Sequence, residues 1–323
     1  MVKLLLERED VDSNRPDMYF EGPLGRAAIN GHERVVGLLL KREHVDPNRL
    51  GWDDRTPLWS AATNGHEGAV KLLLERKDVD PNRPGFEDRT PLGSAAFSGH
   101  EGVVKLLLEQ EDVDPNRPDK YREGPLGRAA INGHEGVVVL LLKRKNVDPN
   151  RPGWDDRTPL WSPASNGHQG VVKLLLERAN VHPNRPDVHG QTPFAIAKIK
   201  GHEGVAKLLL ERRDVDPNRP DINDLTPLEN ATTKGHQGVI KLLPEQENFN
   251  RNRPDEDRLT PLTNTAIEGQ EVTTLSPELE NSDPNHPDSV ERISAETPNA
   301  LAGIGGRRDR WKRRVLFWER KRI

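Results

Sequence analysis

The sequence predicts an all-α solenoid of stacked helix-turn-helix units that are joined by extended finger loops. The first observation is a fixed period of 34 residues, because Gly-His pairs stand at 31-32, 65-66, 99-100, 133-134, 167-168, 201-202 and 235-236. The second is composition, since only 33% of the 323 residues are hydrophobic and 4% are aromatic. A repeat array needs only a thin apolar seam between neighbouring units, so this composition favours a solenoid over large globular cores.

Each period predicts a short first helix, a turn, a second helix and a finger. Thr56 is a favourable N-cap, and Pro57 stands at the first helical position, where its missing N–H has no cost. Gly65 is expected to end the first helix in the left-handed region. Residues 70–74 carry Val and Leu at the spacing of one apolar helix face, which predicts the second helix. The variable residues 85–89 form the finger that leads to the next Thr.

The chain divides into four segments. Residues 1–20 are interpreted as the second helix and finger of an incomplete first repeat, and residues 21–268 as an array of about seven repeats, of which the last are degenerate. Residues 269–300 are rich in Pro, Ser and acid and are expected to form a degenerate repeat or a linker. Residues 301–323 form a basic tail. Inside the array Pro163 stands in the middle of a first helix, where we expect a local distortion.

The repeated motif resembles ankyrin repeats. It reads Thr-Pro-Leu-x-x-Ala-Ala-x-x-Gly-His-x-x-Val-Val-x-Leu-Leu-Leu at residues 90–108 and continues with small changes from Gly22 to about Leu243. The resemblance implies an ankyrin-repeat solenoid whose fingers and first helices form a concave surface that holds a protein partner. Copies with the Asp-Val-Asp-Pro-Asn loop are also similar to arrays attached to fungal NACHT-type signalling proteins.

The repeats depart from the family pattern at two points. The period is one residue longer than the usual spacing of about 33 residues, so the finger is longer. The His that normally follows Thr-Pro-Leu is absent, and its place is taken by Gly25, Trp59, Gly93, Gly127, Trp161, Ala195 and Glu229. We therefore expect a hydrogen bond between repeats to be lost at this position.

The sequence offers no candidate for catalysis, for a cofactor or for a metal. The periodic His residues lie in units roughly 8–10 Å apart, whereas the ligands of one zinc ion lie about 2 Å from it, so we interpret these His residues as structural. Residues 78–82 imitate the start of a calcium loop, but Arg83 stands where that loop requires Gly. The chain contains no Cys. We expect a protein that is not an enzyme and has no small-molecule substrate.

The differences between repeats predict a partner-binding surface. Aromatic residues are concentrated in the fingers and first helices, where they are candidate anchors: Tyr19, Phe20, Trp52, Trp59, Phe86, Phe97, Tyr121, Trp154 and Trp161. Basic residues are expected to add charge on the same side: Arg26, Arg55, Arg89, Arg128 and Arg157. A second interpretation is that Trp59 and Trp161 pack on Trp52 and Trp154 of the preceding finger and only fill space.

The tail carries nine basic residues against two acidic ones between residues 306 and 323. Its basic block comprises Arg307, Arg308, Arg310, Lys312, Arg313 and Arg314. Such a block is typical of a nuclear import signal or of a patch that binds an anionic membrane or nucleic acid, and the alternative is that the tail has no role.

The sequence thus predicts a monomeric, non-catalytic scaffold that binds a protein through its concave face. One alternative is an adaptor that its tail targets to a membrane, to nucleic acid or to the nucleus. Another is a fragment of a larger NTPase-type signalling protein, since the chain begins within a repeat. The start MVKLLLERED has no signal-peptide pattern, so we expect an intracellular, cytoplasmic protein, with nuclear import through the tail as an open alternative.

Overall fold

A computed structural model describes residues 12–233 of the chain, and side chains as far as residue 230. Within these residues the structure is all-α, as predicted. The first helices are α1 (Pro23–Ile29), α3 (Pro57–Thr63), α5 (Pro91–Ser98), α7 (Pro125–Ile131), α9 (Trp161–Asn166), α11 (Pro193–Ile199) and α13 (Pro227–Thr233). The second helices are α2 (Glu33–Leu40), α4 (Glu67–Leu74), α6 (Glu101–Leu108), α8 (Glu135–Leu142), α10 (Gln169–Leu176) and α12 (Glu203–Leu210). The segments at residues 1–11 and 234–323, the basic tail included, lie outside the described residues.

The helices form two layers, because each first helix packs on the next first helix and each second helix on the next second helix. The buried residues form one continuous seam between these layers. Its first-helix side is made of small residues such as Ala61 and Ala62, and its second-helix side of Val70 and Leu73, all of them fully buried. Small residues let neighbouring helices approach closely, so a sequence poor in large apolar residues still fills its core.

The helix ends follow the predicted local chemistry. The Thr56 hydroxyl accepts a hydrogen bond from the Trp59 N–H at 3.0 Å, and Thr90 and Thr192 cap their helices in the same way. Gly65 has a φ of +76°, which is the left-handed conformation that glycine adopts without strain.

The predicted distortion at Pro163 is confirmed. Helix α9 begins at Trp161, whereas the other first helices begin at the Pro that follows a Thr or Gly cap residue. Pro163 has no N–H to donate, and the Thr158 hydroxyl is buried without a hydrogen-bond partner. The Trp161 N–H donates to the Thr158 carbonyl at 2.9 Å and forms a turn in place of the first helical turn.

The periodic His residues join consecutive repeats. His66 Nε2 lies 2.9 Å from the Ile29 carbonyl oxygen, and His100, His134, His168 and His202 make the equivalent bond to the residue 37 positions earlier. A carbonyl oxygen can only accept, so Nε2 carries the proton in each of these rings. The structural interpretation of these five His residues is confirmed.

The Asp-Pro-Asn loop carries a second link between repeats. Asn82 Nδ2 donates to the Asp112 carbonyl at 2.6 Å, and Asn82 Oδ1 accepts from the Asp114 N–H at 2.9 Å. The same pair of bonds is made by Asn14, Asn48, Asn116, Asn150 and Asn184. We call this series the asparagine ladder. It explains why the Asn recurs in each of these loops although the residues before it change, since one amide satisfies an acceptor and a donor of the next repeat.

Lys198 is an anomaly within the seam. It stands in α11 at the position that Ala62 and Ala164 occupy in earlier repeats, and it is fully buried. Its ammonium has no hydrogen-bond partner and lies 5.6 Å from the centre of the Phe194 ring. Burial lowers the pKa of this amine from its ordinary value of 10.5 to about 7.

We expect Asn82→Ala to destabilise the array by about 1–3 kcal/mol, because it leaves a carbonyl and an N–H of the next repeat without partners. Urea unfolding followed by circular dichroism measures the loss. The matched control is Asn64→Ala, since Asn64 Nδ2 donates only within its own helix, to the Ser60 carbonyl at 2.8 Å. Equal losses for the two variants would contradict a structural role of the asparagine ladder.

We expect Lys198→Ala to stabilise the array by roughly 4 kcal/mol at pH 7, where folding opposes protonation of the buried amine. The unfolded chain holds this proton up to about pH 10.5 and the folded chain only to about 7, so wild-type stability rises with pH between these values. The stabilisation by Ala should therefore shrink as the pH approaches 10.5. Thermal unfolding at both ends of the window measures it, with the exposed Lys200→Ala as control. A gain independent of pH would contradict this explanation.

Candidate functional site

The fingers that begin with Gly end in a tight turn with two consecutive left-handed residues. In the second repeat the Gly51 N–H donates to the Arg55 carbonyl at 2.8 Å, and Asp53 and Asp54 have φ values of 55° and 58°. These angles define a type I′ turn, which Asp tolerates better than most residues. Residues 85–89 and 153–157 repeat this geometry.

The fingers that begin with Asp form a wider turn around the Asp carboxylate. Asp119 Oδ1 accepts from the Tyr121 N–H at 2.8 Å and from the Glu123 N–H at 3.2 Å. Only Arg122 in this finger has a positive φ, of 65°. The other Asp119 oxygen forms an ion pair with Arg128 of α7, so the carboxylate fixes the finger to the helix that follows it.

Trp59 and Trp161 are buried, and their indole N–H groups bond to the following finger. Trp59 is 4% exposed and Trp161 5%. Trp59 Nε1 donates to the Arg89 carbonyl at 2.8 Å, and Trp161 Nε1 donates to the Gln191 carbonyl at 2.9 Å. The interpretation that these rings pack on Trp52 and Trp154 of the preceding finger stays a prediction. The expected loss of a hydrogen bond between repeats is wrong at these two positions, because the indole N–H supplies one.

In the repeat where Gly127 stands in place of the usual His, the Glu123 side chain provides the hydrogen bond to the next finger. The carboxylate crosses to the next finger, where Glu123 Oε1 accepts from the Trp154 N–H at 3.3 Å. Gly153 leaves the space that it needs, since a Cβ atom there would lie 1.9 Å from Glu123 Oε1. Burial raises the pKa of this carboxyl from 4.5 to about 7, against the nearby positive charge of Arg128.

Glu21 stands at the same register as Glu123, and burial likewise raises its pKa. Both residues fall at the twelfth place of the loop that imitates a calcium site, but their role as links between fingers was not predicted. The sequence does contain a pattern that indicates this role. Both residues precede Gly-Pro-Leu-Gly, where the usual His side chain is missing, and one repeat later a finger begins with Gly and leaves space for a carboxylate.

The Arg residues differ in their exposure. Arg89 is only 8% exposed; its guanidinium lies over the Phe97 ring at 4.4 Å, and its Nε is 3.7 Å from Asp119 Oδ2. It is therefore a link between fingers and not a free surface charge. Arg55 and Arg157 are partly exposed and stack on Trp59 and Trp161 at 4.9 and 4.3 Å.

The other candidate anchors include two contacting pairs of aromatic rings, and four of these residues are exposed to solvent. Tyr121 and Trp154 contact each other with ring centres 6.0 Å apart, and Tyr19 and Trp52 stack in the equivalent pair at 6.1 Å. Phe20, Tyr19, Trp154 and Phe97 are exposed, by 74, 46, 55 and 38% respectively. Phe86 is half-buried and lies beside Arg55 and Lys120.

A groove of about 510 Å³ lies between the fingers at residues 119–123, 153–157 and 187–191 and the first helices α7, α9 and α11. Its lining includes Tyr121, Trp154 and Arg157 from the fingers, and Ile131, Ser165 and Ile196 from the first helices. Glu123, Arg128 and Lys200 add charged groups. The groove thus combines aromatic walls, a floor of mixed polar and apolar side chains and both signs of charge, a composition that suits a polypeptide.

Two further observations concern metal sites and membrane-spanning helices. In the part of the chain that the structure describes, three or more His, Asp and Glu side chains do not come together in an arrangement that could hold a metal ion. A search of the same residues finds no helix that is long and apolar enough to cross a membrane.

Comparisons with known proteins agree with this architecture. The family described as ankyrin repeats (3 copies) matches residues 1–85, 24–119, 77–153 and 126–221. The crystal structure of the human ASB11 ankyrin repeat domain is similar with a TM-score of 0.58 and 24% identity, covering 68% of this chain and 97% of that chain. No curated protein sequence matches the chain.

We expect the stability difference between the wild type and Glu123→Gln to depend on pH. The folded carboxyl keeps its proton to about pH 7 and the unfolded one only to about 4.5, so the wild type loses stability relative to the variant as pH rises between these values. The loss should reach at most about 3 kcal/mol. Urea unfolding across this range measures it, with the exposed Asp54→Asn as control. A constant difference would show that Glu123 is not buried as described.

Proposed function

The chain belongs to the ankyrin-repeat family, and from this premise we propose that it is a non-catalytic scaffold that holds a protein partner in the groove between its fingers and first helices. Ankyrin repeats are protein-interaction modules, and this chain supplies the features that such a role needs. The observation that carries the proposal is the groove beside Tyr121 and Trp154, where two aromatic rings in contact, one of them strongly exposed, stand over a floor of mixed polar and apolar side chains.

The distribution of variation between repeats supports this side of the array as the binding surface. The His and Asn residues that link repeats recur in each unit, whereas the finger residues change from one unit to the next. A partner that contacts several fingers meets a different side chain at each of them. Such a surface distinguishes one partner from another without altering the scaffold that carries it.

A non-catalytic role is supported by the state of the polar groups. The five His residues that join repeats are fixed through Nε2 to backbone carbonyls, so this nitrogen is not free to accept a proton from a substrate. Glu123 has a pKa suited to proton transfer, but its carboxylate is 7% exposed and already bonded to the Trp154 N–H.

We expect the double variant Tyr121→Ala with Trp154→Ala to weaken partner capture by about tenfold or more, because aromatic anchors carry much of the energy of an interface. Capture from lysate by the full chain is quantified by mass spectrometry. The matched control is Lys173→Ala with Glu177→Ala, which removes two exposed side chains of the second-helix layer. Circular dichroism verifies that both variants are folded.

Deletion of residues 301–323 distinguishes the groove proposal from the alternative that the tail targets the chain to a partner. Retention of the captured protein after the deletion, with loss in the double variant, supports the groove. Loss only on deletion of the tail would overturn the proposal in favour of an adaptor.

A further inference from the structure

The second residue of each finger forms a row of exposed apolar side chains. Lys120 interrupts a series that otherwise consists of Met18, Trp52, Phe86, Trp154, Val188 and Ile222. Four of these six are strongly exposed, with 83% for Met18, 55% for Trp154, 49% for Val188 and 65% for Ile222. We call this series the tip row. Apolar side chains repeated along one edge of the molecule are unusual on a free surface and indicate an interaction site.

In four of the seven fingers a carboxylate stands two positions after the tip-row residue, whereas Phe20, Arg122 and Gly190 occupy this position in the other three. Asp54, Asp88, Asp156 and Asp224 are exposed and have φ values of 58, 56, 56 and 58°. Gly and Asn adopt this conformation as readily, so the turn does not require the charge. Among residues 12–230, Asp54, Asp88 and Asp224 make no ion pair, and Asp156 Oδ1 lies 3.8 Å from Arg122 Nη1.

The fingers that carry the row are joined to each other. The Lys120 N–H donates to the Glu87 carbonyl at 3.0 Å, and the Val188 N–H donates to the Asp155 carbonyl at 3.0 Å. The Ile222 N–H donates to the His189 carbonyl at 3.2 Å. The apolar and acidic positions therefore form two parallel lines along connected fingers, and a ligand that follows the array meets both lines at every acidic finger.

We propose that the tip row binds an extended segment of a partner protein in which basic residues alternate with apolar ones. Stacked repeats lie roughly 8–10 Å apart. An extended chain advances about 3.3 Å per residue, so three residues span about one repeat, and basic residues at this spacing meet the carboxylates of the fingers that carry Asp. Nucleic acid and anionic membranes carry the same sign of charge as these tips and are repelled. The inference rests on the proposed function and names the chemistry of the partner.

The finger at residues 119–123 sets the register of this segment. Lys120 replaces the apolar residue and Arg122 replaces the acid, and Lys120 Nζ is paired with Glu87 at 3.0 Å. The acidic line is therefore divided into a part at Asp54 and Asp88, on adjacent fingers, and a part at Asp156 and Asp224, between which Gly190 leaves one finger without a carboxylate. A partner segment that spans both parts carries a neutral or acidic residue opposite Arg122, which gives the surface directional specificity.

Fluorescence anisotropy tests the proposal with the full chain and a labelled peptide of Arg-Ser-Leu repeats as probe. The test variant carries Asp54→Asn, Asp88→Asn, Asp156→Asn and Asp224→Asn, since Asn keeps the left-handed turn and removes the charge. The matched control carries Glu75→Gln, Glu109→Gln, Glu177→Gln and Glu211→Gln, which removes as many exposed carboxylates from the ends of second helices. We expect about tenfold weaker binding for the test variant and little change for the control.

Three outcomes would overturn the proposal. The first is equal weakening in the two variants, which would mean that only total charge matters. The second is equal affinity for a peptide of Glu-Ser-Leu repeats. The third is a higher affinity of the chain that ends at residue 300, because the basic tail of the chain itself would then be a competing occupant.

The capture experiment separates failure of this inference from failure of the proposed function. If the groove double variant loses its captured protein while the Arg-Ser-Leu peptide does not bind, the scaffold function stands and the chemistry assigned to the tips is wrong. If the captured protein is unaffected by both the groove and the tip variants, the proposed function itself fails.

Discussion

The structure depends on hydrogen bonds that each repeat makes to the next one at a fixed offset. The Asn82 amide satisfies backbone groups near Asp112 and Asp114, and the His66 ring reaches back to the Ile29 carbonyl. These polar groups lie at the ends of short helices of eight residues or fewer, which are marginal on their own. A repeat therefore completes its hydrogen bonding only through its neighbours, and the constant period of 34 residues follows from the need to place each side chain opposite its partner.

The fingers obey a looser constraint, because several different side chains connect them. Trp59 does so with an indole N–H, Glu123 with a buried carboxylate, and Arg89 with a guanidinium beside Asp119. Each solution leaves a different set of atoms on the surface. The scaffold thus tolerates variation in the fingers while the helices stay in place, and this separation allows one architecture to present a surface of its own. Lys198 marks the point at which the seam itself departs from the pattern, with a buried amine at an alanine position.

The sequence predicted the elements whose causes are local or periodic. The Thr56 cap, the end of the first helix at Gly65 and the distortion at Pro163 follow from the chemistry of single residues. The direction in which Trp59 points was not predictable, because the preceding and following fingers are both within reach of a side chain on a first helix. Glu123 was overlooked since its role depends on a space at Gly127 and another at Gly153, which meet only when repeats stack. The groove required the same stacking before its walls and floor could be recognised.

Hydrogen–deuterium exchange of the full chain, with and without the protein that it captures, tests the central claim most directly. The account predicts that binding slows exchange at finger N–H groups of residues 120–123, 154–157 and 188–191 and leaves the second helices α6, α8 and α10 unchanged. Protection confined to the second helices or to residues 301–323 would show that the fingers are part of the scaffold and that the partner binds elsewhere.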